Sequence, residues 1–287
     1  MQSNWQNHRL NLRGRSFCIT RPWVMGILNA TPDSFYAESR TTQECDTRCR
    51  IEQILAEGAQ IIDIGAYSTR PDAPQVSLDE EWRRLEMPLK VAREVAPNAI
   101  ISVDTFRSEI AKRSVSEYAV DIINDVSGGT LDDNMPETVA ELGVPYVLMH
   151  MRGNPSTMQS QCNYASVVDD VREYLQNRAN HLKQMGICDV IIDPGFGFSK
   201  TLEQNYELLN GLESLTGSGL PVLVGLSRKS MAYKPLEITP QEALNATTAL
   251  HTIALLKGAA ILRVHDVKAA MEAIKIVALT QRENNKS

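Results

Sequence analysis

The chain has 287 residues, of which 43% are hydrophobic and 22% charged, with a formal net charge of −6. That length suits one barrel or two small domains, and the interspersed acids and bases argue against a nucleic acid or a membrane surface as partner and for a small molecule held at a local cationic site. The N-terminus has no signal-peptide layout and the most apolar stretch, 249 to 264, is broken by His251, Lys257 and Arg263, so a soluble, cytoplasmic protein is expected. Five cysteines, Cys18, Cys45, Cys49, Cys162 and Cys188, make no C-x-x-C pair, and free thiols are expected rather than a metal site or a disulfide framework.

Residues 1–20 form an N-terminal extension in which Leu10 to Ile19, centred on Arg13-Gly14-Arg15, reads as a short hairpin. Strand-like runs then recur at Val24–Leu28, Ile61–Ile64, Ile100–Val103, Asp121–Ile123, Tyr146–Met149, Val190–Ile192, Val222–Gly225 and Ala260–Val264. Amphipathic stretches of helical length begin between them, near Thr42, Asp79, Ser108, Asn134, Tyr164, Leu202, Pro240 and Val267. Strand then helix, eight times, predicts an α/β fold, a (β/α)8 TIM barrel over residues 21–282 with 283–287 as a flexible tail. The hairpin is then placed to plug the barrel's N-terminal mouth. A doubly wound open sheet is the alternative.

In such a barrel the chemistry sits on the loops after the strands. The first strand ends at Asn29 in a long loop with Phe35 and Tyr36, a lid or ligand loop; the second leads into Ser68-Thr69-Arg70-Pro71, hydroxyls and a guanidinium suited to an oxyanion. Asp104 and Asn124 close the third and fourth strands and Asp193 the sixth. Two carboxylates accept N–H groups and a carboxamide both donates and accepts, so this trio could read the edge of an aminopyrimidinone-type ring. Met149 at the fifth strand end reads as pocket wall, and His150 beside it as a hydrogen-bonded core residue. After Asp193, Pro194 stops the strand, two glycines allow close backbone approach, and Phe196 and Phe198 offer flat apolar surface. The last two strand ends carry Lys229, Arg263 and His265. Facing Asn29, they would hold a phosphorylated substrate and Mg²⁺; solvated surface charge is the plainer alternative.

The ordered set Leu28-Asn29-Ala30-Thr31-Pro32-Asp33-Ser34-Phe35, Ser68-Thr69-Arg70-Pro71, Ser102-Val103-Asp104-Thr105, Ile123-Asn124-Asp125-Val126-Ser127-Gly128-Gly129, Met149-His150-Met151, Asp193-Pro194-Gly195-Phe196-Gly197-Phe198, Ser227-Arg228-Lys229-Ser230 and Arg263-Val264-His265-Asp266-Val267 resembles the dihydropteroate synthase family of folate biosynthesis. The resemblance runs from about Val24 to Leu279. It implies condensation of 6-hydroxymethyl-7,8-dihydropterin diphosphate with p-aminobenzoate by a dissociative, cation-like displacement. Asp104, Asn124, Met149, Asp193, Lys229 and Arg263 would bind the pterin, with Asp104, Asp193, Lys229 and Arg263 carrying catalysis. Asn29 would ligate Mg²⁺ and, with Arg263 and His265, bind the diphosphate, while Phe35, Thr69, Arg70, Pro71, Phe198 and Ser230 would form the p-aminobenzoate site. The family also implies sulfonamide binding and a homodimer built on barrel helices.

Three positions depart from the family pattern. Ala37-Glu38-Ser39 stands where many relatives have Asp-Gly-Gly, Tyr67 where many have Glu, and Ser199 where Gly is usual. A pterin-dependent methyltransferase would share the pterin readers but lack the diphosphate set, and an aldolase-type barrel would need a general base or a Schiff-base lysine. A non-catalytic pterin-binding paralogue is the alternative from another class.

Overall fold

The hairpin forms because Arg13 and Gly14 both take positive φ, 49° and 71°, which matches a two-residue turn to the right-handed twist of strands. It folds β1 (His8–Leu12) onto β2 (Arg15–Ile19) as an antiparallel pair. The computed structural model describes residues 5–30, 37–67 and 76–282.

Eight strands come next: β3 (Trp23–Asn29), β4 (Ile61–Gly65), β5 (Ile100–Asp104), β6 (Ile122–Asp125), β7 (Tyr146–Met149), β8 (Val190–Asp193), β9 (Leu223–Val224) and β10 (Ile261–Val264). They lie parallel in the order β8-β7-β6-β5-β4-β3-β10-β9, and a bridge from Ile192 to Val222 joins the two edges into a nearly closed barrel. The helices between and after them are α1 (Ala37–Ala56), α2 (Leu78–Val95), α3 (Ser108–Tyr118), α4 (Met135–Leu142), α5 (Val167–Gln184), α6 (Leu202–Asn210), α7 (Glu213–Thr216), α8 (Ser230–Tyr233), α9 (Leu244–Leu256) and α10 (Val267–Arg282). The expected TIM barrel with its hairpin is therefore the fold. Two helix starts differ from the sequence reading. The first helix begins at Ala37 rather than near Thr42. The one expected near Pro240 begins at Leu244, because Glu242 and Ala243 first donate turn bonds to the carbonyls of Thr239 and Pro240.

Alternation along each strand sorts the core into two shells. Val24, Ile62, Ile101, Ile123, Leu148 and Leu262 face the helices, whereas Met25, Ile61, Ile100, Ile122, Val147, Ile191, Leu223 and Ile261 fill the lower barrel interior. Leu10, Leu12 and Ile19 of the hairpin join this second cluster and seal it from below. Each contributes about 1.5–3 kcal/mol by leaving water. The cysteines are free.

Candidate active site

Two residues beyond the aliphatic layer, on the same parity, the interior turns polar. Ile61 is followed by Asp63, Ile100 by Ser102 and Asp104, Ile122 by Asn124, Val147 by Met149, Ile191 by Asp193, and Ile261 by Arg263. Parallel pairing of β3 with β4, β4 with β5 and β5 with β6 brings the first of these groups to one place.

At its centre, Arg263 donates Nε–H to Asp63 at 2.6 Å and Nη2–H to Asp104 at 2.6 Å. Asn124 donates to the same Asp63 carboxylate at 3.2 and 3.3 Å. Asp63 is fully buried and Asn124 only 3% exposed, so these bonds replace lost water contacts. Two carboxylates share one guanidinium, which leaves surplus negative charge in a desolvated place. Burial accordingly raises Asp104 to about 7, with Arg263 pulling it back and Asp63 pushing it further up. Burial lowers a guanidinium, yet here Asp63 and Asp104 outweigh it and hold Arg263 above its ordinary value.

Asp193 extends this acceptor set from the next side of the barrel. Its Oδ1 accepts from Gly195 N at 2.7 Å, and burial raises its carboxyl against the attraction of Lys229 and Arg263. The chain then crosses the end of β7 so closely that a Cβ on Gly195, at φ +69°, would lie 2.0 Å from His150 O; only glycine fits. Lys229 donates Nζ–H to Phe196 O at 2.6 Å and stands 4.8 Å from the centre of the Phe198 ring. Burial lowers it to about 8, with Asp193 pulling the other way. Met149 and Phe198 come together with Val126, Met151 and Met158 as a separate apolar cluster above the polar layer. A capping box of Thr201 with Gln204 starts α6 and ends this loop.

The remaining expected residues lie on neighbouring strand ends. β10 pairs with β3, which sets His265 beside the strand that ends in exposed Asn29. Ser227 Oγ accepts from His265 N at 3.2 Å and lies 3.2 Å from its Nδ1. That contact occupies Nδ1 and leaves Nε2 as the ring nitrogen open to a ligand. Burial, then Arg263, lowers His265 to about 4, so the ring is neutral at pH 7. Ser230 opens α8 directly after Lys229. Phe35, Thr69, Arg70 and Pro71 fall outside the described residues. Among the described residues no three His, Cys, Asp or Glu groups gather as metal ligands. Among the described residues, Asn29 puts an oxygen donor of the kind Mg²⁺ takes at the end of β3.

Arg228, adjacent to Lys229, points elsewhere. Its φ is +55°, and its guanidinium grips Asp266 at 2.8 and 2.9 Å. Asp125, adjacent to Asn124, likewise turns outward and accepts from Ser127 N, Ser127 Oγ, Gly129 N and Tyr146 Oη within 2.6–2.8 Å, which fixes the turn after β6. The residue that sequence reasoning missed is Asp63. Its signal was a lone carboxylate on the interior parity of an otherwise aliphatic strand, Ile61-Ile62-Asp63-Ile64.

These features define a parallel barrel whose strand ends gather hydrogen-bond donors and acceptors beside an apolar wall. The chain belongs to the pterin binding enzyme family, whose match covers residues 25–265. It is 40% identical over 282 residues to dihydropteroate synthase from Escherichia coli (strain K12), covering 97% of this chain and 99% of that relative. The structure of Xanthomonas albilineans dihydropteroate synthase with 4-aminobenzoic acid superposes with a TM-score of 0.87 at 36% identity, covering 96% of this chain and 99% of that one. Dihydropteroate synthase from Thermus thermophilus in complex with 6HMPPP superposes with a TM-score of 0.82 at 34% identity, covering 95% and 98%.

Proposed function

We infer that this protein condenses 6-hydroxymethyl-7,8-dihydropterin diphosphate with p-aminobenzoate to give 7,8-dihydropteroate and diphosphate, a transferase reaction of folate biosynthesis. The observation that carries this reading is the buried Asp63–Arg263–Asp104 arrangement with Asn124 hydrogen-bonded to it. It offers acceptors to the N–H edge of a pterin and a surplus negative charge to the cation that the reaction forms.

As the bond from the pterin methylene to diphosphate breaks, positive charge develops on the methylene and ring and negative charge on the leaving group. Asp104 and Asp193, with Asp63 behind Asp104, stabilise the first. Because Nε and Nη2 of Arg263 are taken by the two carboxylates, its flat face is left for the pterin ring and Nη1 for a diphosphate oxygen. His265 gives Nε2–H to the same diphosphate, and Asn29 would hold Mg²⁺ there. When bound, Mg²⁺ supplies charge neutralisation of the leaving group. Lys229 recognises the pterin carbonyl side, and Met149 lines the ring pocket. The neutral amine of p-aminobenzoate, seated by Phe198 and Ser230 with Phe35, Thr69, Arg70 and Pro71 from the first two loops, then attacks the methylene, and the ammonium so formed gives its surplus proton to water or the departing diphosphate. No protein nucleophile is required.

No helix among the described residues is long and apolar enough to cross a membrane, and a cytoplasmic location is the reading in keeping with a folate enzyme. A homodimer is in keeping with exposed Ile253 on α9 and Ile276 and Leu279 on α10, which are 41%, 60% and 49% accessible. Ile276→Asp is expected to convert a dimer to a monomer in sedimentation.

The decisive experiment measures diphosphate release from the dihydropterin diphosphate and Mg²⁺, with and without p-aminobenzoate. Release that depends on p-aminobenzoate and yields dihydropteroate is expected. Tight pterin binding without turnover would replace the enzyme with a pterin-binding paralogue.

A further inference from the structure

Behind the loop after β8 lies a buried charge that the reaction does not use. Lys200 is 3% exposed, and its Nζ is 3.0 Å from Gly195 O, 3.0 Å from Phe198 O and 3.1 Å from Nδ1 of His150. A buried ammonium is costly unless its donors are used, and here three acceptors surround it. Burial lowers it to about 7, with Asp193 opposing. Between those two carbonyls, Phe196 O takes the Lys229 ammonium, so three of the four carbonyls from 195 to 198 accept from two lysines. Ser199, just before Lys200, is held at φ +46°, a conformation a side-chain-bearing residue keeps only when its surroundings insist. Those surroundings are Arg152 N donating to Ser199 Oγ at 3.0 Å and Tyr164 Oη donating to Ser199 O at 2.9 Å. The whole segment is tied from its rear to the loop after β7.

We propose that Lys200 is a positioning residue for the p-aminobenzoate step: it clamps the Gly195 and Phe198 carbonyls so that the Phe198 ring stands as a fixed wall of that subsite. This rests on the reading of Phe198 as part of the p-aminobenzoate site. The clamp separates the two substrates. Asp63, Asp104 and Asn124 are set by β4, β5 and β6 and do not depend on it; Asp193 and Lys229 meet the same loop at Gly195 N and Phe196 O, groups that Lys200 does not bond, whereas Phe198 has Lys200 Nζ on its carbonyl and Gly195 O on its own N–H. A wall displaced by about 1 Å can cost about 100-fold in a reaction that relies on orientation.

The test varies both substrates for the wild type, Lys200→Met and Phe198→Ala, with thermal melting of each. Lys200→Met is expected to raise KM for p-aminobenzoate at least about tenfold while KM for the pterin diphosphate stays within about twofold. Phe198→Ala should raise the p-aminobenzoate KM as well. An unmoved p-aminobenzoate KM in Lys200→Met beside a raised one in Phe198→Ala overturns the clamp and leaves the subsite reading intact. If Phe198→Ala leaves it unmoved too, the subsite reading itself fails. Both KM values rising together with a lowered melting temperature would make Lys200 a general structural residue and also overturn the proposal. Should Lys200→Met not fold, Lys200→Gln decides by the same readout, because its shorter amide stays polar but cannot reach both carbonyls.

Discussion

The lower and upper halves of one barrel interior are built on the same strands, with the same alternation, and obey opposite rules. Below, Met25, Ile61, Ile100, Ile122, Val147, Ile191, Leu223 and Ile261 pack under a hairpin that excludes water. Above, Asp63, Asp104, Asn124, Asp193 and Arg263 occupy the next interior positions and are left with unbalanced charge. The lower half is arranged for stability, and the upper half suits the cation that the proposed reaction forms.

Arg263→Ala tests the upper half most severely. It strands Asp63, fully buried, and Asp104 without their cation, and breaking a buried pair from one side costs about 3–5 kcal/mol. It also removes a preorganised charge from the reacting centre, for which a fall in kcat/KM of about 10²–10³-fold is expected in steady-state assays. A loss below about tenfold would mean that the guanidinium is a structural tie only.

Ile191→Ala is the matching change below. A cavity in this fully buried layer should cost about 2–5 kcal/mol in denaturant unfolding. The folded enzyme should keep its kcat/KM within about twofold, since the strand ends are set by backbone pairing to β7. If turnover falls as far as stability, the two halves are one unit and the comparison breaks.

The pH dependence sharpens the contrast. Asp104 is raised from 3.8 to about 7, so its neutral form is favoured by folding. Its contribution to stability is fully present below its unfolded value and is lost as pH rises through about 7. Pterin affinity should run the other way, increasing as Asp104 ionises through about 7, and then falling above about 8 as Lys229 loses its proton. A titration of kcat/KM for the pterin diphosphate should therefore peak between these values, and Asp104→Asn should lower the whole profile and abolish its acidic limb.

The same contrast separates the legible parts of the chain from the rest. The eight-fold strand and helix period was plain because apolar periodicity is a local signal. Asp104, Asn124 and Asp193 were legible because each ends a strand beside turn residues. Asp63 was not, being followed by Ile64 and Gly65, and its partner Arg263 is 200 residues away. Lys229 rather than its neighbour Arg228 was the expected ligand, and the physical reason lies in the backbone, where φ +55° turns Arg228 to Asp266. Lys200 reads as an ordinary loop lysine; only the crossing of the loop over β7 buries it. The first two loops, with Phe35, Thr69, Arg70 and Pro71, contribute to the site reading through their residue types and the resemblance.

The smallest expected effect is at Ser199, where this chain departs from the glycine common in its family. Glycine would take φ +46° without strain, a gain of about 1 kcal/mol, but would lose the bond from Arg152 N to the hydroxyl, a loss of about 0.5–1.5 kcal/mol. Glycine also loosens the unfolded chain, which lowers stability further by about 0.4–1 kcal/mol. Ser199→Gly should therefore lie between the wild-type stability and about 1.5 kcal/mol below it in denaturant unfolding. Its p-aminobenzoate KM should rise by only a few fold, because Lys200 still holds the Phe198 carbonyl. A rise as large as that of Lys200→Met would place the control of this wall in the strained serine rather than in the buried ammonium.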